Sequence, residues 1–286
     1  MTTPASPKAF VPPSGRLKAI LNRCGTALAW AGYIFLLFPS LIVIPVSFGG
    51  AREFEFPPKS FSLGLYRSFF GDTAWWGAAV QSMIVGTSTT VLAMLIAVPA
   101  AYAIARSSFR GRQFVEVAML SPMLVPVVVL GLGLYMHLAA LQIVGSTFGI
   151  VLAHAVLVVP FVFVAVSSGL RHADPALETV AMLMGASRLR IFVEVVLPQI
   201  KASLLVGTLF AFLISFDEVV IAYFLSGPRS MTLPVKMYSA IRWEISPVLA
   251  AVSTLLTALS LAFCLGIMAL QRREPKPGES DAPTQP

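Results

Sequence analysis

Long uncharged stretches alternate with short charged segments along this 286-residue chain. Lys, Arg, Asp and Glu are all absent from five runs: 24–51, 73–105, 117–170, 202–216 and 245–271. A bilayer crossing needs about 20 mostly apolar residues, and the third run is about twice that length. The polar, glycine-containing stretch 138–147 offers a place for this run to turn, so the third run is interpreted as two helices.

The pattern therefore predicts an all-α, polytopic membrane protein with six transmembrane helices. Their expected limits are 28–48, 76–104, 115–138, 147–168, 201–224 and 247–270. One transmembrane domain at 28–270 would thus lie between an N-terminal segment, 1–27, and a C-terminal tail, 271–286. The two chain ends are rich in Pro, Ser, Gly and charge, which predicts flexible ends because such segments cannot bury enough apolar area.

Composition and charge support this topology. The chain is 57% hydrophobic and 12% charged, whereas soluble domains carry about 25% charged residues. Of the 20 basic residues, most flank the spans on the side of the N-terminus, and the positive-inside rule therefore predicts that both termini are cytoplasmic. The net charge of +7 follows from this arrangement and does not indicate a nucleic-acid partner. No disulfide is expected between Cys24 and Cys264.

The segment 172–199, between the fourth and fifth spans, is amphipathic. Asp174 is a good N-cap with Pro175 at the first helical position. Gly185 can end this helix and Ser187 can cap a second one, so the pattern predicts two short helices joined at a glycine. An apolar stripe follows the first helix: Leu177, Val180, Ala181 and Met184. The segment could lie on the lipid surface or dock into a groove on a partner protein, and the fixed glycine favours docking.

This segment resembles the cytoplasmic loop of the permeases of bacterial ABC importers. That motif reads Glu-Ala-Ala, three residues, Gly, nine residues, Ile, one residue, Leu-Pro. Aligned on Gly185, the chain has Ala181 for the second alanine, Val195 for the isoleucine, and Leu197-Pro198 at the end. Thr179 and Val180 stand in place of Glu-Ala, and Glu178, one position earlier, is a poor substitute for the glutamate of the motif.

The resemblance extends over about 172–256 and is closest to the spermidine and putrescine permeases. It implies a binding-protein-dependent importer in the bacterial inner membrane, with a second, homologous permease, two copies of a cytoplasmic ATPase and an external binding protein. The solute would be polyamine-like or another small organic compound. ATP and Mg would be bound by the ATPase, with no cofactor in this chain. The expected ATPase-coupling residues are Thr179, Val180, Ala181, Gly185, Ala186, Val195, Leu197 and Pro198.

Asp217 and Glu218 are the unusual ionisable pair, about 24 Å along the fifth predicted helix. Acidic residues at that depth must face protein or water, and carboxylates beside aromatic rings suit a flexible polycation. The candidate residues of a substrate pathway are Phe216, Asp217, Glu218, Tyr223, Tyr238 and Trp243. The alternative is an internal ion pair or hydrogen-bond network that holds the outer gate.

No catalytic residue or metal ligand is predicted. The chain lacks GxxxxGK[ST], HExxH and GxSxG, and its three histidines are scattered. ATP hydrolysis is therefore expected on a separate subunit. A second class, an ion-coupled secondary transporter using Asp217 or Glu218, would be favoured by inverted repeats and paired broken helices, which the sequence does not show. An intramembrane enzyme would need a nucleophile–base or metal set that is absent from the sequence.

Overall fold

The computed structural model describes residues 15–50, 56–244 and 246–271, and within these ranges every regular element is helical. The chain forms two compact units, one from residues up to 69 together with those from 247 onward, the other from residues 70–246. The helices, in chain order, are α1 Gly15–Val46, α2 Gly64–Gly71, α3 Thr73–Arg106, α4 Arg112–Leu120, α5 Val127–Ala140, α6 Thr147–His172, α7 Pro175–Leu183, α8 Arg188–Gln199, α9 Lys201–Asp217, α10 Val220–Leu225, α11 Leu233–Ser239 and α12 Val248–Gln271.

The first unit is built mainly from α1 and α12, which pack against each other. The apolar side chains of α1 are exposed over most of Asn22–Val46. Beyond the end of α1, Ser47 Oγ lies 2.7 Å from the hydroxyl of Tyr66, and the backbone N–H of Ser62 donates to the carbonyl of Phe48 at 2.7 Å. These bonds fasten the segment before α2 to the end of α1.

The core of the second unit is a three-helix packing of α3, α6 and α9. Two ridges of small and branched side chains with four-residue spacing line the α3–α6 contact: Ala93, Ala97 and Ala101 on α3, and Val158, Val162 and Val166 on α6, all at most 1% exposed. Such i, i+4 rows interdigitate efficiently. Helix α9 approaches α6 closely at Gly169, where an added Cβ would lie only 2.5 Å from the Ser203 hydroxyl.

Two of the helix pairs are sharply bent. Helices α4 and α5 meet at 110° across a turn of 3-10 helix, Ser121–Leu124, and Pro126. A proline lacks an N–H donor and disfavours helix at the residue before it, which accounts for this break. Helices α8 and α9 meet at 80° at Ile200.

The predicted all-helical, polytopic architecture is confirmed, whereas the limits of the predicted spans are corrected in detail. Among the residues that the structure describes, three helices are long and apolar enough to cross a membrane, namely Asn22–Val46, Thr73–Arg106 and Thr147–His172. The number rises to at most five if each bent pair forms one span. The sixth predicted span, 247–270, coincides with α12, Val248–Gln271. The third predicted span is two helices rather than one, and the fifth ends at Asp217 rather than 224.

Most residues of the two predicted flexible ends lie outside the ranges that the structure describes. Residues 1–14 and 272–286 lie outside the described ranges. Helix α1, however, begins at Gly15, inside the segment 1–27 and well before the predicted start of the first span. The predicted turn at 138–147 is present, since α5 ends at Ala140 and α6 begins at Thr147.

Candidate functional site

The segment 172–199, hereafter the coupling loop, consists of two helices joined at a glycine, as predicted. Asp174 caps α7 by accepting from the N–H of Ala176 at 2.8 Å. Gly185 has a φ of +84°, and the N–H groups of Gly185 and Ala186 donate to the carbonyls of Met182 and Ala181 at 3.0 and 3.1 Å. This pair of bonds is a Schellman motif, which explains the glycine because other residues adopt a positive φ at a cost.

The coupling loop is anchored to α3 by a half-buried ion pair. Arg106 Nε donates to Glu178 Oε1 at 2.7 Å, and the hydroxyl of Tyr102 donates to Glu178 Oε2 at 3.0 Å. Arg106 also donates to the carbonyl of Ala173 at 3.3 Å. The side chains of Arg106 and Glu178 are 22% and 10% exposed. Glu178 therefore binds the loop to the membrane helices through both carboxylate oxygens, a role that the sequence alone did not indicate.

The two ends of the coupling loop are also joined. Gln199 Oε1 accepts from the backbone N–H of Asp174 at 2.9 Å, and Gln199 Nε2 donates to the carbonyl of Val195 at 3.0 Å. The apolar side of α8 packs against the hydrophobic core of α3, α6 and α9, hereafter the main core. Ile191, Val196 and Ile200 are at most 3% exposed there. With its ends joined and one side packed, the loop has the contacts of a rigid element.

The opposite side of the coupling loop is apolar and exposed. Its large side chains, each between 49% and 84% exposed, are Leu177, Val180, Met182, Leu183, Met184, Leu189 and Val193. This set is hereafter the exposed apolar face. Arg190 and Glu194 lie beside it as an exposed ion pair with a 2.8 Å contact, and this pair raises the pKa of Arg190. Exposed apolar side chains beside charged ones are typical of interaction surfaces.

The predicted coupling residues divide between the two sides. Val180 is 53% exposed, and Thr179, Gly185 and Pro198 are exposed as well. The partly buried members pack against the main core: Ala181, Ala186, Val195 and Leu197. The former group can reach a partner, whereas the latter group fixes the loop to its own chain.

The acidic pair is split between two environments. Glu218 is buried, and its carboxylate accepts from the N–H groups of Val220 at 2.9 Å and Ala222 at 3.0 Å, so it caps α10. Carboxylates at a helix N-terminus are stabilised by these unpaired donors and by the helix dipole. The chain therefore breaks between α9 and α10 at Glu218, which is why the fifth predicted span stops early.

A buried histidine completes the surroundings of Glu218. His154 on α6 is fully buried, its Nδ1 lies 2.9 Å from Ser215 Oγ, and its Nε2 lies 3.5 Å from Glu218 Oε2 without the geometry of a hydrogen bond. The polar network expected as an alternative for the acidic pair is thus present at Glu218. Neither His154 nor Ser215 was predicted, although a histidine in the middle of an uncharged run was a usable signal.

Asp217 differs from its neighbour. It is exposed at the last residue of α9 and makes no ion pair with any residue in the described ranges. A carboxylate at a helix C-terminus is disfavoured by the helix dipole. Of the two carboxylates, Asp217 is therefore the exposed one, without an ion pair among the described residues.

The predicted aromatic residues come together only in part. The rings of Tyr223 and Tyr238 are in edge contact at 5.4 Å, whereas Phe216 stacks on Phe212 at 5.6 Å. The guanidinium of Arg242 lies 5.4 Å from the ring of Tyr238 and donates to its hydroxyl at 3.0 Å. Trp243 is 80% exposed. A cation of the protein itself therefore already lies over one of the expected cation-binding rings.

Within the described ranges, no three His, Cys, Asp or Glu side chains are grouped in a way that could hold a metal ion. His137 and His172 lie on different helices, in the last turns of α5 and α6. Cys24 is a free, exposed thiol, and the side chain of Cys264 lies outside the description.

Residues 91–273 match the family described as "Binding-protein-dependent transport system inner membrane component". The matched region is well over half of the chain and includes the coupling loop and the acidic pair. The chain belongs to this family and is therefore a component of the inner membrane.

Curated relatives are similar over most of their length. The chain is 29% identical over 249 residues to the spermidine/putrescine transport system permease protein PotC of Escherichia coli K12, covering 87% of this chain and 94% of PotC. It is 31% identical over 232 residues to the putrescine transport system permease protein PotI of the same organism, covering 79% of this chain and 82% of PotI. These names confirm the predicted resemblance to the polyamine branch of ABC-importer permeases.

Solved structures share the fold at low identity. A bacterial ABC transporter involved in the import of the acidic polysaccharide alginate matches with a TM-score of 0.72 and 16% identity, covering 93% of this chain and all of that one. The alginate transporter in complex with a pentasaccharide-bound periplasmic protein matches with a TM-score of 0.67 and 14% identity, covering 89% and 93%. This likeness concerns the fold alone.

Proposed function

We propose that this chain is a permease subunit of an ATP-driven, binding-protein-dependent importer and forms half of its translocation pathway. It would pair with a second, homologous permease, receive solute from an external binding protein and dock on two cytoplasmic ATPase copies that bind ATP and Mg. The proposal includes six membrane spans, formed by α1, α3, the bent pair of α4 and α5, α6, α9 with α10, and α12, and cytoplasmic termini. Membership of the family supports the assignment to an importer.

The exposed apolar face of the coupling loop carries the proposal. Leu183 and Met184 are 84% and 83% exposed, yet they belong to a loop that is tied at both ends and paired to α3. A mobile surface loop would not need this support. A docked ATPase could cover the exposed side chains and move the loop as a rigid body, so that closure of the ATPase is transmitted to α3 and α9, as in alternating access.

The solute is proposed to be a small organic cation of the polyamine type. The names of PotC and PotI support this class, and so does Asp217, whose exposed carboxylate has no ionic partner among the described residues. Asp217 would attract an ammonium group through a charge-assisted hydrogen bond. Glu218 would hold the break between α9 and α10 and thereby fix the position of Asp217.

Co-purification tests whether the proposed partner subunits bind this chain. The chain is isolated from gently solubilised native membranes, and bound subunits are identified by mass spectrometry. An ATPase and a second permease are expected. The variants Leu183→Asp and Met184→Asp should lose the ATPase while retaining the second permease. Leu63→Asp, which alters a side chain that is 55% exposed outside the coupling loop, is the matched control and should retain both.

The competing class is an ion-coupled secondary transporter, and the contact of buried Glu218 with His154 is the observation that favours it. Such a transporter would be isolated without an ATPase. Its uptake would also persist when ATP is depleted and the membrane potential is kept. Loss of uptake on ATP depletion alone supports the importer, and persistence refutes it.

A further inference from the structure

A polar cavity lies beside the anchor of the coupling loop, on the side of α3 and α6 that faces α4. Its volume is about 430 Å³, within the range of small-ligand sites. The polar groups that line it are Arg106, Arg112, Arg171, Glu116 and Ser167. Ile104 and Leu170 are among its apolar walls and are at most 5% exposed. The cavity therefore combines cationic side chains with a hydrocarbon surface.

The charges in this cavity are not balanced within the chain. Arg106 is paired with Glu178, whereas Arg112 and Arg171 make no ion pair within the described ranges. Glu116 is the one acidic residue that lines the cavity. Two guanidinium groups without partners face a common space, and planar guanidinium donors match the oxygens of a phosphate group.

The cavity is located at the ends of two apolar helices. Its lining includes the last residues of α3 and of α6, both of which are long and apolar enough to span a membrane. Helix α3, with 34 residues, is about 51 Å long, whereas the hydrocarbon core is about 30 Å thick. Helix α3 is therefore long enough for its end to extend beyond the hydrocarbon core into the headgroup region, where a phosphate attached to acyl chains is at high local concentration.

We propose that this cavity binds the phosphate of an anionic phospholipid, with Arg112 and Arg171 as its ligands and Ser167 as an additional donor. The apolar walls would receive the first carbons of the acyl chains. Basic pockets between membrane helices have this specificity for anionic headgroups. The site goes beyond the proposed import function and does not depend on which solute is transported.

The bound lipid would act on the anchor of the coupling loop. Arg106 lines the same cavity and also binds Glu178, so a phosphate in the cavity would lie close to the ion pair that fixes α7. The phosphate and Glu178 would both be acceptors for Arg106, so occupancy of the cavity is expected to change the attachment of the loop to α3.

Lipid titration of the purified native complex tests this site. The complex is delipidated into neutral detergent, and binding of phosphatidylglycerol is measured by native mass spectrometry, with phosphatidylcholine and inorganic phosphate as separate probes. A hydrogen bond to a charged group contributes at least about 1.5 kcal/mol, which corresponds to about tenfold in affinity. Arg112→Gln/Arg171→Gln should therefore weaken phosphatidylglycerol binding about a hundredfold. The control Arg110→Gln/Arg229→Gln removes the same charge from exposed positions outside the cavity and should change it little.

A second variant keeps the test independent of folding defects. Glu116→Gln removes the acidic group from the cavity and should tighten phosphatidylglycerol binding severalfold. Equal affinity in the double arginine variant and its control would overturn the proposal. An unchanged affinity in Glu116→Gln would overturn it as well. Inorganic phosphate that binds as tightly as phosphatidylglycerol would replace the lipid site with a site for soluble anions.

Discussion

Replacing Glu178 by Gln should uncouple ATP hydrolysis from transport by weakening the anchor of the coupling loop. The substitution keeps the shape of the side chain but removes its charge, so Arg106 remains half-buried without an ionic partner. Glu178 receives two hydrogen bonds, from Arg106 at 2.7 Å and from Tyr102 at 3.0 Å. Hydrogen bonds to charged groups contribute about 1.5–3 kcal/mol each. A loss of about 2–3 kcal/mol in loop attachment is expected after partial compensation by the amide and by solvent.

That loss would reduce the ratio of attached to detached loop about 30- to 150-fold, since about 1.4 kcal/mol corresponds to a factor of ten. The assay is uptake by proteoliposomes that contain the complete importer, with ATP hydrolysis measured in the same vesicles. Transport per ATP should fall, while insertion into the membrane and ATPase binding are retained. Hydrogen exchange of α7 should accelerate in parallel.

The matched control is Glu194→Gln, which breaks the ion pair with Arg190 in the same loop. The side chains of that pair are 66% and 57% exposed, and exposed pairs contribute little to stability. Transport per ATP should therefore not change in this control. If Glu178→Gln transports solute with normal coupling and normal hydrogen exchange in α7, the reasoning about the anchor is refuted.

Three further changes test other parts of the account. Gly185→Val should uncouple transport, whereas Gly185→Asn should retain coupling. No atom lies within 4 Å of an added Cβ, so the cost of about 1–2 kcal/mol comes from the positive φ alone, which Asn tolerates better than Val. Equal transport in both variants would contradict this reasoning. Asp217→Asn should raise the half-saturating concentration of a cationic solute for uptake without changing the protein yield. Glu218→Gln should instead lower the thermal stability of the protein. Identical effects of the two substitutions would contradict the different roles assigned to Asp217 and Glu218. Gly169→Ala should lower the thermal midpoint of unfolding, because the added Cβ would lie 2.5 Å from the Ser203 hydroxyl. Adding Ser203→Gly to this variant should restore the midpoint. If the double variant is not restored, a clash between these two side chains is excluded as the cause.

Features that depend on local sequence were predictable. The capped start of α7 at Asp174, the left-handed Gly185 and the break at the prolines of 121–126 all follow from side-chain chemistry over a few residues. The uncharged runs located the long helices for the same reason. These predictions needed no knowledge of which helices are neighbours.

Features that depend on tertiary contacts were not predictable. Glu178 is a poor substitute for the glutamate of the motif because it lies one position too early. Its role as an anchor was not predictable because its partners, Tyr102 and Arg106, are more than 70 positions away in the chain. Similarly, the separation of roles between Asp217 and Glu218 depends on His154 on α6 and on the donors of α10. An uncharged run specifies that a helix is apolar but not that it breaks at a buried cap.

Photo-crosslinking from the exposed apolar face tests the central claim most directly. A photoreactive residue replaces Leu183 or Met184 in native membranes, and the products are identified by mass spectrometry, with position Leu63 as the control. The account predicts crosslinks to an ATP-binding subunit from the coupling loop and none from the control. Crosslinks to lipid alone would contradict the account and would identify the loop as a surface helix of the membrane.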